Sequence, residues 1–295
     1  MTDDDSPEID KLIENLEDKD VNVRMIAAEA LGKIGDTRAV EPLIEVIDYG
    51  NHEPTEEFLR MQYMFDWEVG IAAAEALGKI GDVGAVEPLI HMLEMGASNR
   101  YEDRSGYPAT IALGRIGDSR AINPLVKELS DGCDELTEEG HGRFEEGGYI
   151  PEWYACQMVP EALIQIGDKK AIEPLIGLML NAWDWWESTL AAEALSGLGW
   201  KPETDELKAA YLVSVKDWEG CRQLGKVGTE KAIEYLALLL YYRDPMSGFR
   251  YHNEIEEAFE SFGEMAIEPL VKLLDEGDEV EAITEALEKL GHEIK

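Results

Sequence analysis

The 295-residue chain is 45% hydrophobic, enough for a sizeable core, and sets 26 Lys+Arg against 63 Asp+Glu for a formal net charge of −37. A surface that acidic repels phosphate, which excludes nucleic acid and anionic membranes as general partners and favours solubility. Cys133, Cys156 and Cys221 are far apart and odd in number, so neither a disulfide framework nor a CxxC metal pair is expected.

The chain opens on "MTDDDSPEID", acidic and polar and unlike a signal or transit peptide. No apolar run approaches the ~18 residues of a membrane span. A cytoplasmic location without membrane contact is expected. Internal repetition then dominates. "AAEALGKIGDTRAVEPLI" (27–44) returns as "AAEALGKIGDVGAVEPLI" (73–90), then as "ATIALGRIGDSRAINPLV" (109–126) and "VPEALIQIGDKKAIEPLI" (159–176). "CRQLGKVGTEKAIEYLAL" (221–238) and "IEEAFESFGEMAIEPLV" (255–271) keep the outline, and "VEAITEALEKLGHEIK" ends the chain on half a unit. Leu31 marks the series, continued by Leu77, Leu113, Leu163, Leu195, Leu224, Phe259 and Leu287.

Each unit reads as two helices. In "DVNVRMIAAEAL", Asp20 is the N-cap and Val21 stands just inside, followed by apolar residues at helical spacing with Ala where helices approach closely. Gly35 and Gly81 suit the left-handed conformation that ends a helix, and Asp36 and Asp82 cap the next helix. "AVEPLI" carries Pro near the start of the second helix, where a missing N–H costs least. One such pair cannot bury its apolar face alone, so neighbouring pairs must stack.

Marker spacing locates the insertions. Leu31 to Leu77 is 46 residues, Leu77 to Leu113 is 36, Leu113 to Leu163 is 50 and Leu163 to Leu195 is 32. The extra residues fall after the second helix each time, at 48–65, 95–106, 131–151 and, more briefly, 242–249. Equivalent loops share one edge of a solenoid, and insertions confined to one edge mark a binding face. The acidic 131–151 segment lacks a calcium-loop pattern and reads as a solvated flexible loop.

Aligned on the marker, Val21 stands opposite Trp67, Trp153 and Trp185, with Phe249 in the seventh unit. Asp66, Glu152 and Asp184 precede the three tryptophans, while Tyr154 and Trp186 follow two of them. Each ring alone fits a lid packed on its own loop. The row together fits a surface for a partner: Trp and Tyr give large contact area at low entropy cost, and a cation over the rings would use the carboxylates as well. A protein with a basic segment is the expected partner of Trp67, Trp153, Tyr154, Trp185, Trp186, Phe249, Asp66, Glu152 and Asp184. Past the fifth unit, "GWKPETDE" replaces the GD turn, and Trp200 and Trp218 read as packing at this irregularity.

These units resemble HEAT-like repeats of the phycobilisome-lyase (PBS-lyase) type over nearly the whole chain. The resemblance implies an all-α, right-handed α-α superhelix, a HEAT-like repeat solenoid of roughly seven to eight helix pairs. A single solenoid over 1–295 is expected, with regular units at 8–196, an irregular junction at about 197–232 and C-terminal units at 233–295. Known members of this type include bilin lyases and isomerases, deoxyhypusine hydroxylases and proteins that only bind other proteins, and a shared fold does not choose among them.

In the hydroxylases, the resemblance puts His-Glu iron ligands just before the marker. Here those places hold Met25-Ile26, Ile71-Ala72, Tyr107-Pro108, Gln157-Met158 and Thr189-Leu190, so that activity is rejected. The His-Glu dipeptides His52-Glu53 and His292-Glu293 lie in an insertion and at the C-terminus. The five His show no ligand spacing, and no metal or catalytic residue is assigned. The expected function is a non-enzymatic protein-binding scaffold or adaptor without a cofactor. The alternative is a bilin lyase/isomerase or bilin-binding chaperone using the same aromatic edge, against which stands its shortage of Arg and Lys for bilin propionates.

Overall fold

A computed structural model describes residues 6–48, 67–98, 106–138, 152–181, 185–217, 219–221, 233, 236, 252–276 and 280–292. Among them every regular element is helical and none is a strand. The chain divides into two compact units, Met1–Pro174 and Leu175–Lys295.

The first unit begins with α1 (Ser6–Asn15), α2 (Val21–Ile34), α3 (Val40–Asp48), α4 (Trp67–Ile80) and α5 (Val86–Ser98). It continues through α6 (Gly106–Ile116), α7 (Ile122–Glu138) and α8 (Glu152–Ile166) into the start of α9 (Ile172–Asn181). The capping reasons read from the sequence are those at work. Asp20 accepts a hydrogen bond from the Asn22 N–H at 2.9 Å and starts α2. Gly35, at φ 74°, ends it, its N–H donating to the Leu31 carbonyl at 2.9 Å. A residue with a Cβ would be strained there. The Asp36 carboxylate then accepts from the Arg38 N–H at 2.9 Å and opens a 3-10 turn, Thr37–Ala39, that leads into α3. Asp82, Asp118 and Asp168 repeat the arrangement.

Alternate helices stack as first helices (α2, α4, α6, α8) and second helices (α3, α5, α7). The markers Leu31, Leu77, Leu113 and Leu163 are fully buried, as are Leu43, Leu89 and Leu125 of the second helices. Each such side chain contributes about 1.5–3 kcal/mol by leaving water. Glycine sets how closely the first helices approach. A Cβ on Gly32 would lie 2.7 Å from Ala76 Cα, one on Gly78 2.7 Å from Ala112 Cα, and one on Gly114 2.7 Å from Ala162 Cα. "Ala-Leu-Gly" is therefore a ladder motif: the Ala receives the previous helix and the Gly is pressed against the next.

Two features differ from the sequence reading. The acidic segment at 131–151 is not loop from its start, because α7 runs on to Glu138. Extending an existing helix is far cheaper than nucleating one, and "DELTE" does not oppose it. The α1 region also has the spacing of a second helix rather than a first, because Ile9, Leu12 and Leu16 match Val40, Leu43 and Ile47.

In the second unit, α9 completes and is followed by α10 (Trp185–Gly197), α11 (Asp205–Ser214), α12 (His252–Phe262), α13 (Ile267–Glu276) and α14 (Val280–Lys289). Leu195, Phe259 and Leu287 are buried like the earlier markers. At "GWKPETDE" the Trp200 N–H reaches back to the Leu195 carbonyl at 2.9 Å, and Thr204 caps α11 by accepting from the Leu207 N–H at 3.2 Å. Trp200 meets Tyr211 edge-on with ring centroids 5.8 Å apart, so this ring packs at the irregular turn. Trp218 lies outside the described residues.

Candidate interaction edge

The first unit has two chemically distinct edges. At the turn edge, where first helices end, each Asp of the GD turn caps the turn, and in two copies it also holds an arginine two residues on. Arg38 donates to Asp36 at 3.1 and 3.0 Å. Arg120 donates to Asp118 at 3.0 Å from both Nε and Nη2, and also reaches the preceding repeat through Glu87 at 3.2 Å and the Val83 carbonyl at 3.0 Å. That last contact joins the turns after α4 and α6, so these helices run parallel and end side by side. The guanidinium hydrogen bonds hold the Asp36 and Asp118 carboxyls below the usual carboxylate range.

More cations stand in the last turns of the first helices: Lys33, Lys79 and Arg115. A helix C-terminus is the partially negative end of its dipole, which favours them there. Lys33 pairs with Glu29 at 3.5 Å and Lys79 with Glu75 at 3.3 Å, both one turn back on the same helix. The sequence reading did not detect this concentration of cations along one edge. The signal was present in the "GK", "GR" and "GDxR" copies at fixed distance from the marker.

The opposite edge holds the starts of the first helices. Asp18, Asp20 and Glu68 are exposed on it. Trp67 is the first residue of α4, as Val21 is of α2. Glu152 is the first residue of α8 rather than the residue before it, so Trp153 and Tyr154 are second and third. The helix gains one more residue at its start than the alignment expects. Parallel stacking brings Trp67, Glu152, Trp153 and Tyr154 to one end of the first unit, with α6 between α4 and α8. Trp185 and Trp186 open α10 in the second unit. Asp66, Asp184 and Phe249 lie outside the described residues, as do 49–66, 99–105, 139–151 and 242–249 of the insertion segments.

Among the described residues, no group of three or more His, Cys, Asp or Glu is arranged to hold a metal ion. Nor is any helix among them long and apolar enough to cross a membrane. Cys156 is buried with its Sγ 3.7 Å from the Glu128 carbonyl, and Cys221 is buried too.

Comparison with known proteins agrees with the repeat reading. The family described as HEAT repeats matches residues 2–57, and the PBS lyase HEAT-like repeat matches residues 69–95 and 109–131. These segments are HEAT repeats, and those at 69–95 and 109–131 are of the PBS-lyase type. No curated protein matches the chain. Among solved structures, the complex of CpcE and CpcF of phycocyanin lyase from Nostoc sp. PCC7120 is 23% identical, with 96% of this chain and 94% of that chain covered and a TM-score of 0.45. Human deoxyhypusine hydroxylase in complex with glycerol is 18% identical, with 97% of each chain covered and a TM-score of 0.37.

Proposed function

We propose that this HEAT-repeat chain is a non-enzymatic scaffold that binds a protein carrying a basic segment, through the edge on which its first helices begin. The observation that carries this reading is the pairing of cations on the turn edge of the first unit, opposite a helix-start edge where exposed Asp18, Asp20 and Glu68 outnumber the exposed Lys19. Paired cations are held on the turn edge by Asp36, Asp118, Glu29 and Glu75. The helix-start edge is left with exposed carboxylates and with Trp67, Trp153 and Tyr154 in first turns. Carboxylates beside aromatic residues suit Arg and Lys, which use the charge and the ring face together. Trp185 and Trp186 offer the second unit an equivalent helix start.

The test is a titration of the full chain with labelled Arg/Lys-rich peptides, against neutral and acidic peptides of equal length, read by fluorescence anisotropy. Basic peptides are expected to bind, and Trp67→Ala with Trp153→Ala to weaken them by about thirtyfold, the loss of one hot spot of ~2 kcal/mol. Circular dichroism and melting should hardly change in this pair or in Trp185→Ala with Trp186→Ala. A large loss of stability would assign the rings to packing instead, and equal affinity for acidic peptides would end the charge argument. Incubation with a bilin distinguishes the alternative, because a bilin-handling protein would shift the pigment's visible absorbance.

A further inference from the structure

We propose that the outward face of α6 docks an amphipathic helix of a partner protein, laid antiparallel to α6, with apolar residues over Tyr107 and Ile111 and a carboxylate on Arg115. The site is a face of the first unit rather than its helix-start edge, and it does not depend on the reading of that edge. On the neighbouring first helices one repeated pair occupies the outward face. Glu29 and Glu75 hold Lys33 and Lys79 four residues on, at 3.5 and 3.3 Å, and Glu161 accepts from Gln165 at 3.0 Å. In α6 the same place, two residues before the marker, holds Ile111 instead. Arg115, the counterpart of Lys33 and Lys79, is exposed and therefore has no carboxylate one turn back. Asp118, three residues on, is already held by Arg120. One turn before Ile111, Tyr107 is 38% exposed, and Ile111 itself is half-buried, as is Ile71 at the level of Tyr107 on α4. Tyr107, Ile111 and Arg115 stand four residues apart on one helix, so they form a single stripe about 12 Å long.

Folding alone does not call for these residues, because Glu75 and Glu161 stand at the level of Ile111 on the helices to either side. The chemistry of the stripe selects its occupant. It is an apolar strip ended by a cation, on a chain whose formal charge is −37, and its complement is an apolar strip ended by an anion. Anchors four residues apart are those of a helix laid in a groove. Direction follows from the dipoles. Arg115 is next to the last residue of α6, Ile116, at the partially negative end of the helix. An antiparallel partner brings its partially positive N-terminal end there, where a carboxylate in its first turn is favoured by its own helix as well as by Arg115. Glu75 and Glu161 bound the stripe on both sides, so the flanks of the docked helix are neutral or basic. The recognised pattern is Asp or Glu, followed by apolar residues four and eight positions later.

The test uses the full chain and a fluorescein-labelled helical peptide of Ala and Gln, with Glu at one position, Leu four and eight positions later, and no Arg or Lys. Fluorescence anisotropy is followed at ionic strength about 0.15 M to screen the net charge. Saturable binding is expected. Replacing the peptide's Glu with Gln should weaken binding to the wild-type chain by about fivefold and to Arg115→Gln hardly at all, a coupling that the charge of the chain as a whole does not produce. Ile111→Glu should weaken the peptide by about tenfold. Circular dichroism and melting should be kept in that variant, since it gives α6 the residue its neighbours carry. An absence of binding, a Glu-to-Gln effect of equal size in Arg115→Gln, or undiminished affinity in Ile111→Glu would each overturn the proposal. The peptide carries no cation, so its failure leaves the basic-peptide reading of the helix-start edge standing, and failure of that reading leaves this one.

Discussion

At the scale of single residues, the GD turn shows one carboxylate serving two purposes. Asp118 caps the turn through the Arg120 N–H and holds the guanidinium of the same residue, which in turn reaches Glu87 and the Val83 carbonyl of the repeat before it. The side-chain hydrogen bond from Arg120 keeps the Asp118 carboxyl below its usual value of 3.8, and Arg38 does the same for Asp36. A carboxyl with a lowered folded-state pKa binds its proton more readily when unfolded. Its stabilising contribution is therefore full above the ordinary carboxylate range and disappears as pH falls through the depressed folded-state value. Melting temperature followed from neutral pH into acid should fall steeply at that lower end. In Asp118→Asn combined with Asp36→Asn the fall should be shallower, because the variant has already lost the pairing at neutral pH. An unchanged acid limb would show that these pairs do not contribute there.

At the scale of helices, the decisive contacts involve the smallest side chains. Gly78 faces Ala112 with no room for a methyl group, and the obstruction is backbone rather than the end of a flexible chain. Gly78→Ala should lose about 1–3 kcal/mol by overpacking, despite the better helix propensity of Ala. Urea denaturation would measure it, and a neutral or stabilising outcome would mean that α4 and α6 separate freely. Much of this level was legible from the copies. Caps, turn glycines, buried marker leucines and the starts of α2, α4 and α10 all come from local rules written the same way several times. What escaped was information carried between copies. The reach of Arg120 to Val83 depends on how two turns stand in space, and the extra residue at the start of α8 on end effects that local patterns resolve poorly. Of the aromatic row, the helix-start positions of Trp67 and Trp185 were legible.

For the whole molecule, net charge governs conditions more than shape. A formal charge of −37 opposes compaction of the chain, while neutral peptide contacts and buried leucines are indifferent to it. Raising ionic strength from about 0.01 M to 0.15 M shortens the screening length from roughly 30 Å to 8 Å, which removes the long-range repulsion first. Pairs in contact, such as Arg120 with Asp118 at 3.0 Å, are much shorter than either length and lose comparatively little. The melting temperature should therefore rise with added sodium chloride, in contrast to a protein stabilised chiefly by surface ion pairs. Capture of a basic peptide at the helix-start edge should weaken, because there the screened interaction is attractive. The two salt dependences differ in sign for one reason, and a melting temperature that fell with salt would show that ion pairs, rather than net repulsion, set the stability of this chain.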